Sequence, residues 1–315
     1  MKKNFKTRGK IILKCKKTCE EVELPPKFEQ IADKAFSGDN VMKKVIIPGN
    51  VRVINYGAFE AANALENVSF SAAGMIDLKK RGFMKCGRLS YIENMSIIIS
   101  YGDKAFKDCI SLTNCDINPY LGDFGKSCFE GCKKISSVKL PIDHEEIPVR
   151  TFYGCENLSD VEFGSALKNI GQKAFFGCIS LKEMNFTETV ETIGASAFED
   201  CYSISKIKFG ANIKKIDKNA FKNCLYLNTV EFAPVTNKRV KIESGAFSDC
   251  VELRTIIIPN GKWSINPGAF KKCKLHSVDP LTIICHSEET ADSLKRCLGA
   301  LVKKEMVDIV VRDVE

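Results

Sequence analysis

The chain has 315 residues, with 47 lysines and arginines against 39 aspartates and glutamates, which gives a formal net charge of +8. The first 19 residues hold eight of the basic residues and no acidic one, so the rest of the chain is balanced at 39 against 39. This balance argues against a basic stripe for nucleic acid. The absence of a run of 18 apolar residues argues against a membrane-spanning helix.

Residues 1–30 are predicted to form a basic tail followed by a degenerate first repeat. Leu13, Cys19, Val22 and Leu24 fall on the phenylalanine, leucine and strand positions of the repeat described below, one period upstream. The tail is interpreted as a solvated segment, with contact to an anionic surface as the alternative. The apolar run 11–13 is far too short for a secretory signal, which favours a cytoplasmic location.

Residues 31–280 contain a phenylalanine that recurs at intervals of 23 to 26 residues. Such a period indicates a solenoid, in which repeated units stack side by side. The recurring residues, called corner phenylalanines below, are Phe36, Phe59, Phe83, Phe106, Phe129, Phe152, Phe175, Phe198, Phe221, Phe247 and Phe270.

Other positions of the unit repeat with the corner phenylalanine. A cysteine follows it by three residues in nine units, an aliphatic residue by six, and further apolar residues by nine and eleven, while an isoleucine often precedes it by five. In Leu158–Phe163 apolar and acidic residues alternate, which is the period of a half-buried strand. No sustained helical stripe occurs in this region. Each unit is therefore predicted to contain one short strand and an irregular or 3₁₀ return.

One such unit cannot bury its own apolar face, whereas stacked units cover one another. The repeated strands are expected to pair in parallel at about 4.8 Å, with the phenylalanine rings stacked as a ladder behind the sheet.

Residues 281–315 depart from the repeat and are predicted to form a C-terminal cap. Residues 281–285 fit a closing strand, 287–301 a helix and 306–311 a last strand. The helix is indicated by the spacing of Ala291, Leu294, Leu298 and Leu301.

The order Cys-x-x-Leu-x-x-Val-x-Phe followed by Ile-Gly-x-x-Ala-Phe resembles the leucine-rich repeats of the BspA-like, Treponema-type family. Good copies run over 155–175, 178–198 and 201–221, and the resemblance covers roughly residues 13–285. It implies a curved, right-handed leucine-rich-repeat solenoid of about 11 repeats of ~23 residues. The parallel β-sheet would line the concave face, and the convex side would carry short strand, 3₁₀ or irregular segments. It also implies a binding role, as in surface proteins and adhesins, and no catalytic residues.

Two units lack the repeated cysteine, with Asp39 in the first and Ala62 in the second, and three extra residues fall within 234–241.

The 15 cysteines are interpreted mainly as a column of small, buried, free thiols. Disulfides between neighbours and zinc remain alternatives. For zinc, Cys15 with Cys19 offers only two ligands, and the better set combines Cys273, His276, Cys285, His286 and Cys297. No phosphate-binding loop or hydrolase motif occurs. The chain is accordingly predicted to have no catalytic site, metal, cofactor or small-molecule substrate.

The outer face of the predicted strands, eight and ten residues after each corner phenylalanine, is the candidate binding surface. We hypothesise an acidic central patch for a basic protein segment, bracketed by lysines, with Tyr91 and Met95 as an apolar anchor. Like charges are expected side by side at Glu93 with Asp116 and at Asp160 with Glu183, which costs stability. The alternative is a merely solvated face. The candidate contacts are Tyr91, Glu93, Asp116, Lys139, Asp160, Glu162, Glu183, Lys206 and Lys208.

A second candidate surface is the extra loop near Asn237, Lys238 and Arg239.

Three functions are weighed on these grounds. The first is a non-enzymatic protein–protein interaction scaffold that binds through the concave surface. The second is a cell-surface adhesin or antigen of the BspA-like type, exported without an evident signal peptide. The third is a catalytic or metal-dependent protein that uses the terminal cysteine and histidine cluster.

Overall fold

The computed structural model describes residues 5–16, 19–234, 239–273 and 280–312. They form two compact units, the first made of Met1–His144 with Arg150–Glu162 and the second of Glu145–Val149 with Phe163–Glu315. Within the described residues the units together hold about 13 turns of parallel β-solenoid and one α-helix near the carboxyl end, as predicted for the fold class. The predicted boundaries at residues 30 and 280 stay a prediction.

The first unit contains twelve strands among its described residues. They are β1 (Phe5–Arg8), β2 (Ile11–Cys15), β3 (Glu21–Glu23), β4 (Gln30–Ile31), β5 (Lys44–Ile47), β6 (Val53–Ile54), β7 (Asn67–Phe70), β8 (Ile76–Leu78), β9 (Tyr91–Glu93), β10 (Ile98–Tyr101), β11 (Ser137–Lys139) and β13 (Asp160–Glu162), with a 3₁₀ turn at Met95–Ile97.

The second unit contains the remaining described strands and the helix. They are β12 (Glu146–Ile147), β14 (Asn169–Ile170), β15 (Glu183–Asn185), β16 (Thr192–Ile193), β17 (Lys206–Phe209), β18 (Lys215–Ile216), β19 (Thr229–Phe232), β20 (Arg239–Ile242), β21 (Thr255–Ile258), β22 (Lys262–Ile265), β23 (Leu281–Cys285), α1 (Glu288–Val302) and β24 (Val307–Val311), with a 3₁₀ turn at Pro267–Phe270.

A typical coil contributes two strands: the front strand predicted from the repeat pattern, and a short back strand of the kind that the family resemblance implied for the convex side. The front strand begins eight residues after the corner phenylalanine, and the back strand ends at the isoleucine five residues before it. In the second unit the front sheet has the order β15-β17-β19-β21-β23-β24 and the back sheet β12-β14-β16-β18-β20-β22. The repeat pattern alone did not separate this strand from an irregular or 3₁₀ return, because many copies are only two residues long and too short to show an alternating pattern.

Left-handed residues flank the corner phenylalanine on both sides. In the Phe198 coil, Ser196 has φ 55° and Asp200 has φ 63°. The amides of Ser196, Phe198 and Asp200 donate to carbonyls of the next coil, whereas those of Ala197 and Glu199 donate within their own coil. The two left-handed residues thus aim alternate amides at the neighbouring coil, so the corner has its own hydrogen-bond ladder.

The corner phenylalanines stack as predicted. In the first unit, neighbouring rings from Phe36 to Phe152 have centroids 4.8 to 5.6 Å apart and lie within 8° of parallel. In the second unit, the rings from Phe175 to Phe270 are 5.0 to 5.8 Å apart and within 13° of parallel. These rings fill the interior between the corner and the two sheets.

The cysteine column is bonded to the phenylalanine ladder. Eight of the nine column thiols are seen to donate to the carbonyl of the corner phenylalanine in the preceding coil, as Cys132 does to Phe106 at 3.1 Å and Cys201 does to Phe175 at 3.1 Å. None of the 15 cysteines forms a disulfide. Burial raises the pKa of the Cys132 and Cys201 thiols, so both stay protonated at neutral pH.

The amino-terminal strands do not follow the repeat positions that were predicted for residues 1–30. Ile12 pairs with Ile31 in the back sheet and so takes the isoleucine position, one residue before Leu13. The first ring of the ladder, Phe36, meets the edge of Phe5 at a centroid distance of 6.3 Å. The prediction that Leu13 takes the phenylalanine position is wrong, because β1 folds back on β2 and brings Phe5 to the ladder instead.

The carboxyl-terminal elements agree with the predicted strand, helix and strand. The Ser287 hydroxyl accepts a hydrogen bond from the Thr290 amide and caps α1. Ala291, Leu294 and Leu298 are buried where the helix packs on β22 and β24. In the described part of the chain, no helix is both long enough and apolar enough to span a membrane.

Candidate functional site

The front strands carry the candidate binding residues on their outer face, because alternate side chains of a strand point to opposite sides of the sheet. In the first unit, Val138 of β11 pairs with Val161 of β13 on the inner face. Lys139 and Glu162 are therefore neighbours on the outer face, and Asp160 lies there beside Ser137.

Asp116 does not lie on a strand, contrary to the predicted register. The segment 113–118 is irregular and interrupts the front sheet between β9 and β11. The Asn114 side chain takes the place of strand pairing, since its amide accepts from the Ile92 amide at 3.1 Å and donates to the Ile92 carbonyl at 2.9 Å. The same side-chain amide contacts the Asp116 carboxylate at 3.0 Å, and Asp116 remains exposed.

Several predicted contact residues in the first unit are engaged by neighbours. Glu93 accepts a hydrogen bond from the Ser69 hydroxyl at 2.6 Å. The Lys139 ammonium lies 2.7 Å from the Glu162 carboxylate, and both side chains are 65% exposed. Lys139 therefore neutralises part of the predicted acidic patch instead of only bracketing it.

The apolar anchor is reduced to one residue. Tyr91 begins β9 and is 48% exposed on the outer face. Met95, predicted to extend this anchor, is only 1% exposed, because the 3₁₀ turn Met95–Ile97 directs its side chain inward.

In the second unit, β15 and β17 bring Glu183 opposite Lys206. Lys206 makes its ion pair on the other side, at 2.6 Å from Glu231, and Lys208 lies 3.7 Å from the same carboxylate. Glu183 is exposed and makes no ion pair in the part of the chain that is described. Asp160 belongs to the first unit and Glu183 to the second, and their predicted contact stays a prediction.

The terminal cysteine and histidine residues take part in backbone hydrogen bonds. His286 Nδ1 lies 2.9 Å from the Arg312 carbonyl, the Cys285 thiol 3.7 Å from the Val310 carbonyl, and Cys297 is buried in part beside Trp263. His276 lies outside the described residues, as do Asn237 and Lys238 of the second candidate surface. The described residues contain no group of three or more potential metal ligands.

One charged cluster was missed by the sequence reasoning. Glu130, the residue after corner Phe129, is buried at 6% exposure. Its carboxylate contacts the Lys107 ammonium at 3.0 Å and the Arg150 guanidinium at 2.5 and 3.1 Å. Burial by itself would raise the pKa of Glu130, but hydrogen bonds from Arg150, Lys107 and Ser127 outweigh it and lower the pKa to about 2. Two cations therefore compensate one buried carboxylate within the corner, which indicates a structural role for the cluster.

Parallel coils with front strands, corner phenylalanines and a buried thiol column define a leucine-rich repeat protein with an exposed strand face. The BspA type leucine rich repeat region matches this chain in six copies, over residues 6–136, 77–205 and 145–277. The chain belongs to this family.

Solved structures of the same fold cover nearly the whole chain. A leucine-rich repeat protein from Bacteroides ovatus is 18% identical, with 98% of this chain and 97% of that chain covered and a TM-score of 0.59. The pneumococcal vaccine antigen PcpA is 19% identical, with 94% and 80% covered and a TM-score of 0.54. A leucine rich cell surface protein from Faecalibacterium prausnitzii is 18% identical, with 97% and 90% covered and a TM-score of 0.51. A search of curated proteins gave no match.

Proposed function

We propose that this chain is a non-enzymatic scaffold that binds another protein through the outer face of its front strands. The observation that carries the proposal is the in-register row of exposed side chains on parallel strands, as at Ser137 with Asp160 and Lys139 with Glu162. The apolar side chains of the same strands are buried in the core. The side chains on the outer face can therefore differ from coil to coil without disturbing the fold.

The proposed partner is a protein with an exposed basic segment. Asp116 and Asp160 are the acidic contacts in the first unit, and Glu183 is the contact in the second. Tyr91 is the apolar anchor, since a half-exposed tyrosine buries a large area at little entropic cost. The remaining proposed contacts already have hydrogen-bond or ion-pair partners on the front strands and would orient the bound protein. They are Glu93, Lys139, Glu162, Lys206 and Lys208.

Charge reversal tests the face directly. The proteins captured by the wild-type chain from its native cell would be compared with those captured by Asp160→Lys and Glu183→Lys, singly and together. Asp292→Lys is the matched control, since Asp292 is 68% exposed on α1 and not on a front strand. We expect the double variant to lose the partner at least tenfold and the control to keep it. Equal capture by all variants would contradict the proposal.

A cell-surface adhesin or antigen is the second candidate. It is favoured by the names of two proteins that share the fold, a vaccine antigen and a cell surface protein. The alternative is that the chain acts in the cytoplasm. Brief protease treatment of intact native cells separates the two, because a surface-exposed chain is cleaved and a cytoplasmic chain is protected until lysis. Protection of a cytoplasmic marker in the same cells is the control.

A further inference from the structure

The last strand of the second unit's front sheet, β24, has an open backbone edge. It pairs in parallel with β23 on one side and has no strand on the other among the described residues. The Met306 carbonyl and the Arg312 amide bond to β23. Because the backbone groups of successive residues point alternately to the two sides of a strand, those of Val307, Ile309 and Val311 point away from β23.

This edge is unlike the two strand edges near the amino terminus. The edge strand β1 carries Lys6 and Arg8, and the edge strand β3 carries Glu21 and Glu23. Charges of this kind protect sheet edges from pairing. On β24 the single charged residue is Asp308, whose backbone groups face β23.

The back sheet of the second unit is not open in the same way. Its last strand, β22, packs against α1, and the helix also contacts β24. The helix therefore covers the apolar interior, while no strand among the described residues pairs with the outward backbone edge of β24.

We propose that β24 pairs with β24 of a second copy of this chain, antiparallel and about a twofold axis through Ile309. In this register Val307 faces Val311 of the other copy, and Ile309 faces its own counterpart. Every outward backbone donor then meets an outward acceptor, because the three outward residues of each strand are matched. Their side chains, on the inner face with buried Ile283, would extend one apolar row across the axis.

Charge favours this arrangement over a head-to-tail chain of copies. In the twofold register Asp308 faces Val310 of the other copy, so no like charges are opposed. A head-to-tail contact would place β24 beside β3, and Asp308 would share the outer face with Glu21 and Glu23. Like charges on neighbouring strands oppose pairing.

Engineered cysteines test the register. In a Cys19→Ser background, which removes the exposed thiol, Ile309→Cys should give a covalent dimer on mild oxidation, because residue 309 meets itself across the axis. Val307→Cys is the matched control on the same inner face, since its neighbour on β23 is Leu281, whereas residue 311 lies beside the Cys285 thiol. It should stay uncrosslinked because residue 307 faces residue 311 of the other copy. Equal crosslinking of both, or of neither, would overturn the register.

The oligomeric state tests the pairing itself. Light scattering of the wild-type chain should show twice the monomer mass, whereas Ile309→Pro should raise the dimer dissociation constant roughly tenfold or more. Proline at 309 removes only an outward amide, so the circular dichroism spectrum should be unchanged, and Ile309→Val should remain dimeric. A monomeric wild type, or a proline variant that dimerises as well as wild type, would refute the proposal. Neither result depends on which protein the front face binds.

Discussion

At the scale of single residues, the column thiols show how buried polar groups are bonded within the repeat, whereas the buried Tyr101 hydroxyl has no hydrogen-bond partner among the described residues. A thiol three residues after the corner phenylalanine is small enough for the interior and donates to the carbonyl of the preceding coil. Glu130 differs from these neutral thiols because it is a buried charged residue. It is tolerated because Lys107 and Arg150 contact the same carboxylate, and because Arg150 also stacks over the Tyr153 ring at 3.8 Å.

The lowered pKa of Glu130 predicts an acid-sensitive contribution to stability. The group has a pKa of about 2 when folded against an ordinary value of 4.5, so its contribution is complete above pH 4.5 and is lost as the pH falls towards 2. We expect wild type to lose about 3 kcal/mol of unfolding free energy over this window beyond the loss in Glu130→Gln.

Denaturant unfolding from pH 6 to pH 2 measures this difference. Glu156→Gln is the control, because Glu156 pairs with Lys133 at 2.7 Å but is 42% exposed. Its pH profile should follow that of wild type. Parallel profiles for wild type and Glu130→Gln would contradict the predicted contribution.

At the scale of the elements, each coil is too small to be stable alone and is held by the neighbouring coil. Three contacts repeat from coil to coil: the ladder of the corner amides, the stacked rings and the thiol bond. A fourth contact occurs on the second unit's surface, where Glu145, Lys168, Glu191 and Lys214 form a column of alternating charge with ion pairs between Lys168 and Glu145 and between Lys214 and Glu191. Exposed pairs of this kind add little stability, so the ring ladder dominates.

Truncation of one ring should show how much the ladder contributes. Phe198 is fully buried, with centroids 5.0 Å from Phe175 and 5.1 Å from Phe221. We expect Phe198→Ala to lower the unfolding free energy by about 3 to 5 kcal/mol, and Phe198→Leu by less, because leucine fills most of the volume without stacking.

Denaturant unfolding provides the measurement. Phe176→Ala is the control, since Phe176 is only partly buried and lies beside Lys173 at the surface. A cost of about 1 kcal/mol is expected there. Equal losses of unfolding free energy in Phe198→Ala and Phe176→Ala would show that the stacked rings contribute no more to stability than a ring at the surface.

At the scale of the molecule, stability is expected to be a sum of terms between adjacent coils. Perturbation of one end should therefore weaken the nearest coils first. In the second unit, α1 covers the end of the interior through Ala291, Leu294 and Leu298.

Leu294→Ala tests this locality. We expect a cost of about 2 to 4 kcal/mol and a loss of amide protection in β21 and β23, with β15 unchanged. Hydrogen exchange read by mass spectrometry resolves these segments. Asp292→Ala, exposed on the same helix, should leave all protection unchanged. A uniform loss across the second unit would indicate global cooperativity in place of nearest-neighbour stability.

Much of the fold follows from the sequence because the same pattern of buried residues recurs in every repeat. The corner phenylalanines, the buried thiols, the front strands and the capping helix were all predicted from spacing, and each rests on a side chain that must be buried. The left-handed corner residues, which have no apolar signature, were missed. They include lysine, serine, asparagine and glycine.

The outer face was only partly predictable, because strand register places a residue but does not decide its partners. The sequence by itself determined the period, the buried columns and the identity of the outward rows, since burial of apolar groups imposes one alternation on every coil. Only the tertiary structure decided that Asn114 interrupts the sheet, that Lys139 pairs with Glu162, and that in the described part of the chain no strand follows β24 in its sheet. These outcomes depend on contacts between residues of different coils, which the local alternation of apolar and polar residues does not specify.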